Sequence, residues 1–334
     1  MTECMSTGAR GIALLTGAAI ALAAMPQAYA QSAASFPSKS IVLIVPFAAG
    51  GPVELETRLY TQRLAANLGQ QVLIDFKPGG GSMLGIAYVA KSRPDGYTLV
   101  AASTGMTVLP AFRKTDMPYD TLKDLTPISL MSKQASILLV HPSFPARTLG
   151  DYVAYARANP GRINYGTGGA GAISHLAGAW LHSLSNTQVT YIHHKSTGPM
   201  LLELQTGRIM AGSGLMVATL PMVKAGKLRA LAALGGQRSP QMPDLPTVAE
   251  QGFPPYDYTG WIGFLGAGGT PPSIANRLSE AFSKAVHSPE IVAELAKQGS
   301  EPVGSTPAQF AQLITTELAR WQKVVDEAGL KLEE

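Results

Sequence analysis

Short apolar runs alternate along this chain with longer stretches in which apolar residues recur every three or four positions. Ile41–Val45 is five apolar residues in a row, four of them β-branched, the pattern of a strand covered on both faces. Glu54–Leu68 reads as a helix closed by Gly69, Val72–Phe76 as a second strand, Met83–Ala90 as a second helix and Tyr97–Ala101 as a third strand. Gly/Pro-rich loops separate them. This β-α-β-α-β order predicts a parallel sheet with right-handed crossovers.

After a connecting stretch the pattern resumes. Ser136–Val140, Ile163–Tyr165, Val189–Ile192 and Leu228–Leu234 read as strands. Thr148 is placed to cap a helix that Pro160-Gly161 ends, Ala172–Leu184 is helical, and Gly198-Pro199 opens a helix ending near Gly207. Thr247-Val248-Ala249-Glu250 has the form of a capping box. From Trp261–Leu265, a strand-like run, the chain turns mostly helical. Ser273 is placed to cap a helix with Ile274, Leu278, Ala281, Phe282 and Ala285 on one face. Ser288-Pro289-Glu290 is a second helix start, and Phe310, Leu313, Ile314, Leu318, Trp321 and Val325 form the stripe of a last helix. No βα repeat of its own accompanies that helix, so it is expected to pack on the first block. Two βα blocks, about 36–130 and 140–255, with a tail returning to the first, describe two lobes around a hinge.

The first thirty residues stand apart. Gly11–Ala24 is an apolar run too short for a membrane span, Pro26 breaks it, and Ala28-Tyr29-Ala30 fits the small-x-small rule of signal peptidase. Cleavage after Ala30 is expected, giving a soluble periplasmic protein of 304 residues. Cys4, the one cysteine, precedes the apolar run and leaves with it. The mature chain then has no thiol, disulfide or zinc-finger pattern. The charge of +4, from 26 basic and 22 acidic residues, is mild and unclustered. Nucleic acid is therefore not an expected partner.

Three glycine-rich loops each follow a strand and open a helix: Ala48-Ala49-Gly50-Gly51, Gly79-Gly80-Gly81-Ser82 and Gly166-Thr167-Gly168-Gly169-Ala170-Gly171. Ligands of parallel α/β sheets sit at such strand ends, where unbonded helical N–H groups and the helix dipole favour an anion. The third loop fits G-x-G-x-x-G, but the acid a dinucleotide site needs about 20 residues on is missing: the region reads Tyr191-Ile192-His193-His194-Lys195. No G-x-S-x-G or H-E-x-x-H occurs, Ser174 and His175 are adjacent on a helix start, and the six histidines are scattered. Without a nucleophile, base or metal set, binding is the expected activity, with no catalytic residue, metal or cofactor.

Several segments carry a family resemblance. They include Phe36-Pro37-Ser38-Lys39-Ser40-Ile41 followed by Ile44-Val45-Pro46-Phe47-Ala48-Ala49-Gly50-Gly51, then Arg93-Pro94-Asp95-Gly96-Tyr97, Lys224-Ala225-Gly226-Lys227-Leu228-Arg229 and Pro243-Asp244-Leu245-Pro246-Thr247. Together they resemble the Bug proteins, the extracytoplasmic solute receptors of tripartite tricarboxylate transporters, over residues 36–330. The resemblance implies an α/β chain of the type II periplasmic-binding-protein fold, with two Rossmann-like lobes, a hinge and a ligand cleft between them. Residues 36–135 plus 260–334 would form lobe 1 and 136–259 lobe 2. It also implies that backbone amides and hydroxyls hold a carboxylate. The positions carried over are Phe47, Gly50, Gly51, Gly80, Gly81, Ser82, Ser103, Thr104 and Thr107 in the first lobe. In the second they are Thr167, Gly168, Gly169, Ala170, Gly171, Ser174, His175, His194, Lys195, Ser196 and Ser213.

Departures from the family pattern bear on the ligand. Glu54 stands where an Asp is usual, Thr107 near a usual His, His194 at a Tyr, and Met210 and Gly214 at two Asp positions. Loss of those acids removes acceptors for a ligand ammonium and disfavours an amino acid in the cleft. The implied function is capture of a small organic anion by a monomeric receptor and its delivery to membrane transporter subunits. Docking on a sensor kinase is the alternative, and a secreted α/β enzyme the remote one.

Overall fold

A computed structural model of the chain describes residues 36–113, 116–170 and 172–328. The signal-peptide expectation and Gly171 lie outside them.

In chain order the described elements are β1 (Ile41–Val45), α1 (Pro52–Leu68), β2 (Val72–Phe76), α2 (Met83–Ala90), β3 (Thr98–Ser103), α3 (Gly105–Phe112), β4 (Leu125–Gln134) and β5 (Ser136–Val140). Next come α4 (Leu149–Ala158), β6 (Asn164–Thr167), α5 (Ile173–Leu184), β7 (Thr190–His193), α6 (Thr197–Gln205), β8 (Ala211–Leu215), α7 (Met216–Lys224) and β9 (Arg229–Ala233). The chain closes with β10 (Gly260–Ala267), α8 (Pro272–Val286), α9 (Pro289–Lys297), β11 (Ser300–Pro302) and α10 (Pro307–Ala328).

The strands form two sheets, ordered β11-β4-β10-β3-β1-β2 and β7-β6-β8-β5-β9. The mixed α/β class and the parallel pairing expected of the first βα block match the structure, and each sheet also contains antiparallel strands. β1 pairs parallel with β2 and β3, and β6 with β7 and β8. β10 instead runs antiparallel between β3 and β4, and β5 antiparallel between β8 and β9. The cause is the crossover. The chain leaves the first sheet along β4, enters the second along β5 and returns into β10, so these strands need not follow a helical βαβ turn.

Local chemistry explains the element ends. Pro52 sits in the first turn of α1, where its missing N–H is not needed, and Gly69 ends that helix at φ 68°. Thr148 and Asp151 close a reciprocal capping box on α4. Thr247 and Glu250 bond reciprocally too, but they close a turn rather than a helix. Ser273 is not the cap of α8: the helix starts at Pro272, with Pro271 at the N-cap position and no side-chain cap.

The apolar stripe of α10 is buried through Phe310, Ile314, Trp321 and Val325, and the helix packs on α3 and β4. Trp321 also lies edge-on to Trp180 of α5, with ring centres 5.1 Å apart. The tail thus belongs with the first sheet while touching the second. No described helix is long and apolar enough to cross a membrane.

Candidate functional site

Parallel pairing puts the carboxyl ends of β1, β2 and β3 side by side, and likewise those of β6, β7 and β8. The two sets meet. A Cβ on Gly198, at the start of α6, would lie 3.5 Å from the carbonyl oxygen of Gly50 in the β1–α1 loop, and α3 packs against α5. The site is therefore made of two groups of strand ends and helix starts brought face to face.

On the first side, Phe47 is half-buried, Gly50 exposed and Gly51 the buried N-cap residue of α1. The Gly50 amide is already engaged, donating to Glu54 Oε2 at 2.5 Å, while Arg58 Nε donates to Oε1 at 2.6 Å. Burial would raise the Glu54 carboxyl, but the Gly50 amide and Arg58 outweigh it and hold the group below its ordinary range. Glu54 thus fastens the loop, with its own negative charge offset by Arg58.

The second loop is left open. Gly79, Gly80 and Gly81 have φ of 136°, 58° and 65°, and Ser82 follows at 96°. Successive positive φ values curl a backbone so that its N–H groups face one concavity, which suits an anion. The Gly80 and Gly81 amides donate to no protein acceptor among the described residues, whereas the Ser82 amide bonds Gly79 O. Ser82 has a Cβ in a conformation that favours glycine. Ser82→Gly should therefore leave stability unchanged or raise it by up to about 1 kcal/mol. Ser82→Val should lower it by about 1–3 kcal/mol, read as opposite shifts in thermal midpoint.

At the end of β3, Ser103, Thr104 and Thr107 are all buried. Thr104 Oγ1 accepts from Trp261 N on β10 at 2.8 Å, and Thr107 Oγ1 donates to Thr104 O. Ser103 Oγ and Trp261 Nε1 are buried without a protein partner, so each has unspent hydrogen-bonding capacity.

On the second side, Ser174 Oγ accepts from Gly168 N at 2.8 Å, and Ser213 Oγ donates to Ser174 O at 3.2 Å. Thr167 Oγ1 accepts from Gly169 N and is hydrogen-bonded to His193 Nδ1 at 2.7 Å. Most of the third glycine loop thus holds itself rather than waiting for a ligand. Ala170 is half-buried, and Lys195 is exposed. His194 Nδ1 lies within 3.2 Å of Thr167 O and 3.1 Å of Ile192 O. Ser196 is the buried N-cap residue of α6, with no side-chain cap.

Thr197 and Gly198 donate to no protein acceptor among the described residues; Gly198 approaches Gly50 and Thr197 approaches Gly168. The sequence marks Gly198 as a helix start and Trp261 as the head of a strand, but names neither of them, nor Thr197, as a site residue. The signal for Thr197 and Gly198 was the helix start itself: two unbonded amides ahead of Pro199.

His175 is fully buried, with its ring centre 4.8 Å from Tyr191 and 4.7 Å from His193. Burial and His193 push it down to about 4. His182, bonded to the hydroxyls of Tyr152 and Tyr191, is pushed down to about 3 by burial and His175. Both imidazoles are neutral in the folded protein at neutral pH, so the charge of His175 does not hold an anion. An unfolded histidine takes up its proton near 6.5. The stabilisation is thus complete above that pH and is lost as pH falls from about 6.5 towards 4. At about pH 5 each histidine should cost about 2 kcal/mol. His182→Gln, which can still bridge the two tyrosines, should flatten the slope of thermal midpoint against pH.

With this geometry in hand, comparison with known proteins is decisive. The model of the tripartite tricarboxylate transporter family receptors matches residues 57–330. The chain belongs to that family. Protein BugT of Bordetella pertussis is 33% identical over 307 residues, 90% of this chain and 93% of BugT. Among solved structures, R. palustris Rpa4515 with adipate is 31% identical with a TM-score of 0.84, covering 89% of this chain and 99% of that one. MatC from Rhodopseudomonas palustris with bound malate is 30% identical with a TM-score of 0.83, covering 87% and 100%. The receptor therefore has the periplasmic-binding-protein fold of two lobes around a cleft. Its relatives are solute-binding receptors, not enzymes.

Proposed function

We propose that the receptor captures a small organic carboxylate between its lobes and hands it to the membrane subunits of a tripartite transporter. The observation that carries this reading is the set of unengaged backbone amides at the two groups of strand ends, Gly80 and Gly81 in one and Thr197 and Gly198 in the other, with Gly198 approaching Gly50. Hydrogen bonds to a charged group contribute about 1.5–3 kcal/mol each, so three or four support micromolar affinity after ordering costs. Adipate and malate bound to two relatives support a dicarboxylate in particular.

In this reading residues 36–135 plus 260–334 move as one lobe and 136–259 as the other, on a hinge at the β4–β5 junction and the segment before β10. Ligand contacts to both lobes shift the population towards the closed form. The chain is exported with cleavage after Ala30 and acts as a monomer. A thermal-shift screen of mono-, di- and aromatic carboxylates tests the ligand class. A dicarboxylate should raise the midpoint increasingly as its concentration passes its Kd. Stabilisation by uncharged compounds alone would defeat the proposal.

A further inference from the structure

A second concavity lies at the hinge itself. It has a volume of about 680 Å³, and its lining runs from Lys133–Ala135, where β4 crosses to β5, through Asp257 and Thr259, where the chain returns, to the loop after β9 and to β11. Pockets of this size hold small molecules. Because both crossing segments line it, its shape is tied to the hinge.

Its chemistry differs from that of the cleft. Two lining residues, Gln134 and Ser300, are 1% and 6% exposed and carry buried side-chain oxygens (Oε1 and Oγ) with no protein partner; such groups normally find one in a protein group, water or ligand. Four charged side chains line the cavity, two of each sign: Lys133 and Arg238, Asp257 and Glu301. Two of these are engaged. Arg238 pairs with Glu250, and Asp257 Oδ1 accepts from Gly236 N and Thr259 Oγ1. Lys133 and Glu301 are exposed register partners across β4 and β11. Among the described residues no ion pair joins them. One ammonium and one carboxylate thus stand side by side at a cavity with unsatisfied polar groups.

We infer that this cavity is an effector site for a small zwitterion carrying both a carboxylate and an ammonium, an amino acid by class, which favours the closed receptor. Lys133 takes the carboxylate, Glu301 the ammonium, and the buried oxygens take polar hydrogens directly or through water. A physical route joins the cavity to the cleft. Gln134 Nε2 donates to Glu56, a fully buried carboxylate on α1 that also accepts from Ser132 Oγ and Tyr60 Oη. Two residues earlier the same helix carries Glu54, which holds the Gly50 amide, so the route runs through the body of α1. Both crossing segments line the cavity, so in this proposal its occupant favours the conformation in which Gly50 and Gly198 approach, and by linkage each ligand tightens the other.

The test is titration of the purified, ligand-free receptor with L-glutamine, followed by amide NMR, beside butyrate and n-butylamine as single-charge controls. Saturable shifts of Gly235, Gly236 and Ala135 with L-glutamine alone are expected. They should be lost in Lys133→Ala/Glu301→Ala, whose two positions are exposed. Saturating L-glutamine should also lower the Kd for a cleft dicarboxylate at least about fivefold. The inference is overturned by the absence of hinge shifts, by shifts that persist in the double variant or arise equally with a single-charge control, or by an unchanged dicarboxylate Kd. The hinge shifts are read without the cleft dicarboxylate, and their loss in the double variant is independent of the ligand proposed for the cleft.

Discussion

Gly168→Ala should weaken carboxylate binding about 10–100-fold by isothermal titration, with the fold intact by circular dichroism. The added Cβ would stand 2.9 Å from Thr197 Oγ1 and 3.0 Å from Thr197 N. A side chain can rotate away; a backbone nitrogen at a helix start cannot. The start of α6 must then retreat from the third glycine loop, carrying Thr197 and Gly198 away from Gly50. Overpacking of this kind costs roughly 1–3 kcal/mol, and each 1.4 kcal/mol lost from the bound state is about tenfold in Kd. Gly150→Ala is the control. Its Cβ would meet only Thr148 Oγ1 at 3.6 Å, an ordinary contact, so affinity should stay at the wild-type value. Equal affinity for Gly168→Ala and wild type would separate the third loop from the site.

Phe310→Ala should have the largest effect on stability, a loss of about 3–5 kcal/mol measured by urea denaturation. Phe310 is fully buried, with its ring centre 5.4 Å from that of Trp261 in an edge-to-face arrangement. It reaches that place because β10 carries Gly263 beneath it: a Cβ there would overlap the Phe310 ring and come 3.0 Å from Ser129 O. The truncation removes the first anchor of α10 and leaves a hole over the sheet that β10 cannot fill. The loss is expected with and without ligand, because Phe310 packs on Gly263 and Trp261 of β10 and none of the unengaged backbone amides belongs to that strand. A variant unfolding at the wild-type urea midpoint would show that the tail does not hold the first sheet together.

These two residues also show where the sequence was informative. The stripe of α10 and the runs of β1 and β5 were legible because their side chains alone satisfy a periodicity. Ile41–Val45 and Ser136–Val140 lie in sheet interiors and are mostly or wholly buried. By contrast β8 reads Ala-Gly-Ser-Gly-Leu and has almost no apolar signal. Its small residues answer to neighbours that are distant in sequence. A Cβ at Gly212 would lie 3.1 Å from Gly166 O and from Met200 Sδ, and one at Gly214 would lie 2.9 Å from Thr219 Cγ2. Close packing emptied the strand of the residues that would have announced it.

β4 was hidden for another reason. Pro127 and five polar residues interrupt its run, and its partners β10 and β11 lie more than a hundred residues onward. Helix α3 was missed because it opens on Gly105 and contains Pro110.

The site was legible as loops but not as valences. Glycines at strand ends mark where a backbone can approach an anion. They do not say which amides are spent. The structure engages Gly50 with Glu54, Gly168 with Ser174 and Gly169 with Thr167. It leaves Gly80 and Gly81 open, together with Thr197 and Gly198, which carried no motif. Only the fold reveals that Ser174 and Thr167 are consumed in shaping the loop, and that His175 is buried and neutral rather than a cation at the site.

The central claim is that uncharged donors from two facing sets of strand ends hold a carboxylate. The most direct measurement is a crystal structure of the receptor with the dicarboxylate that best stabilises it. The account predicts carboxylate oxygens within hydrogen-bonding distance of the Gly80 or Gly81 amides on one side and of Thr197 or Gly198 on the other. A ligand held by lysine or arginine side chains, or bound to one lobe alone, would contradict it.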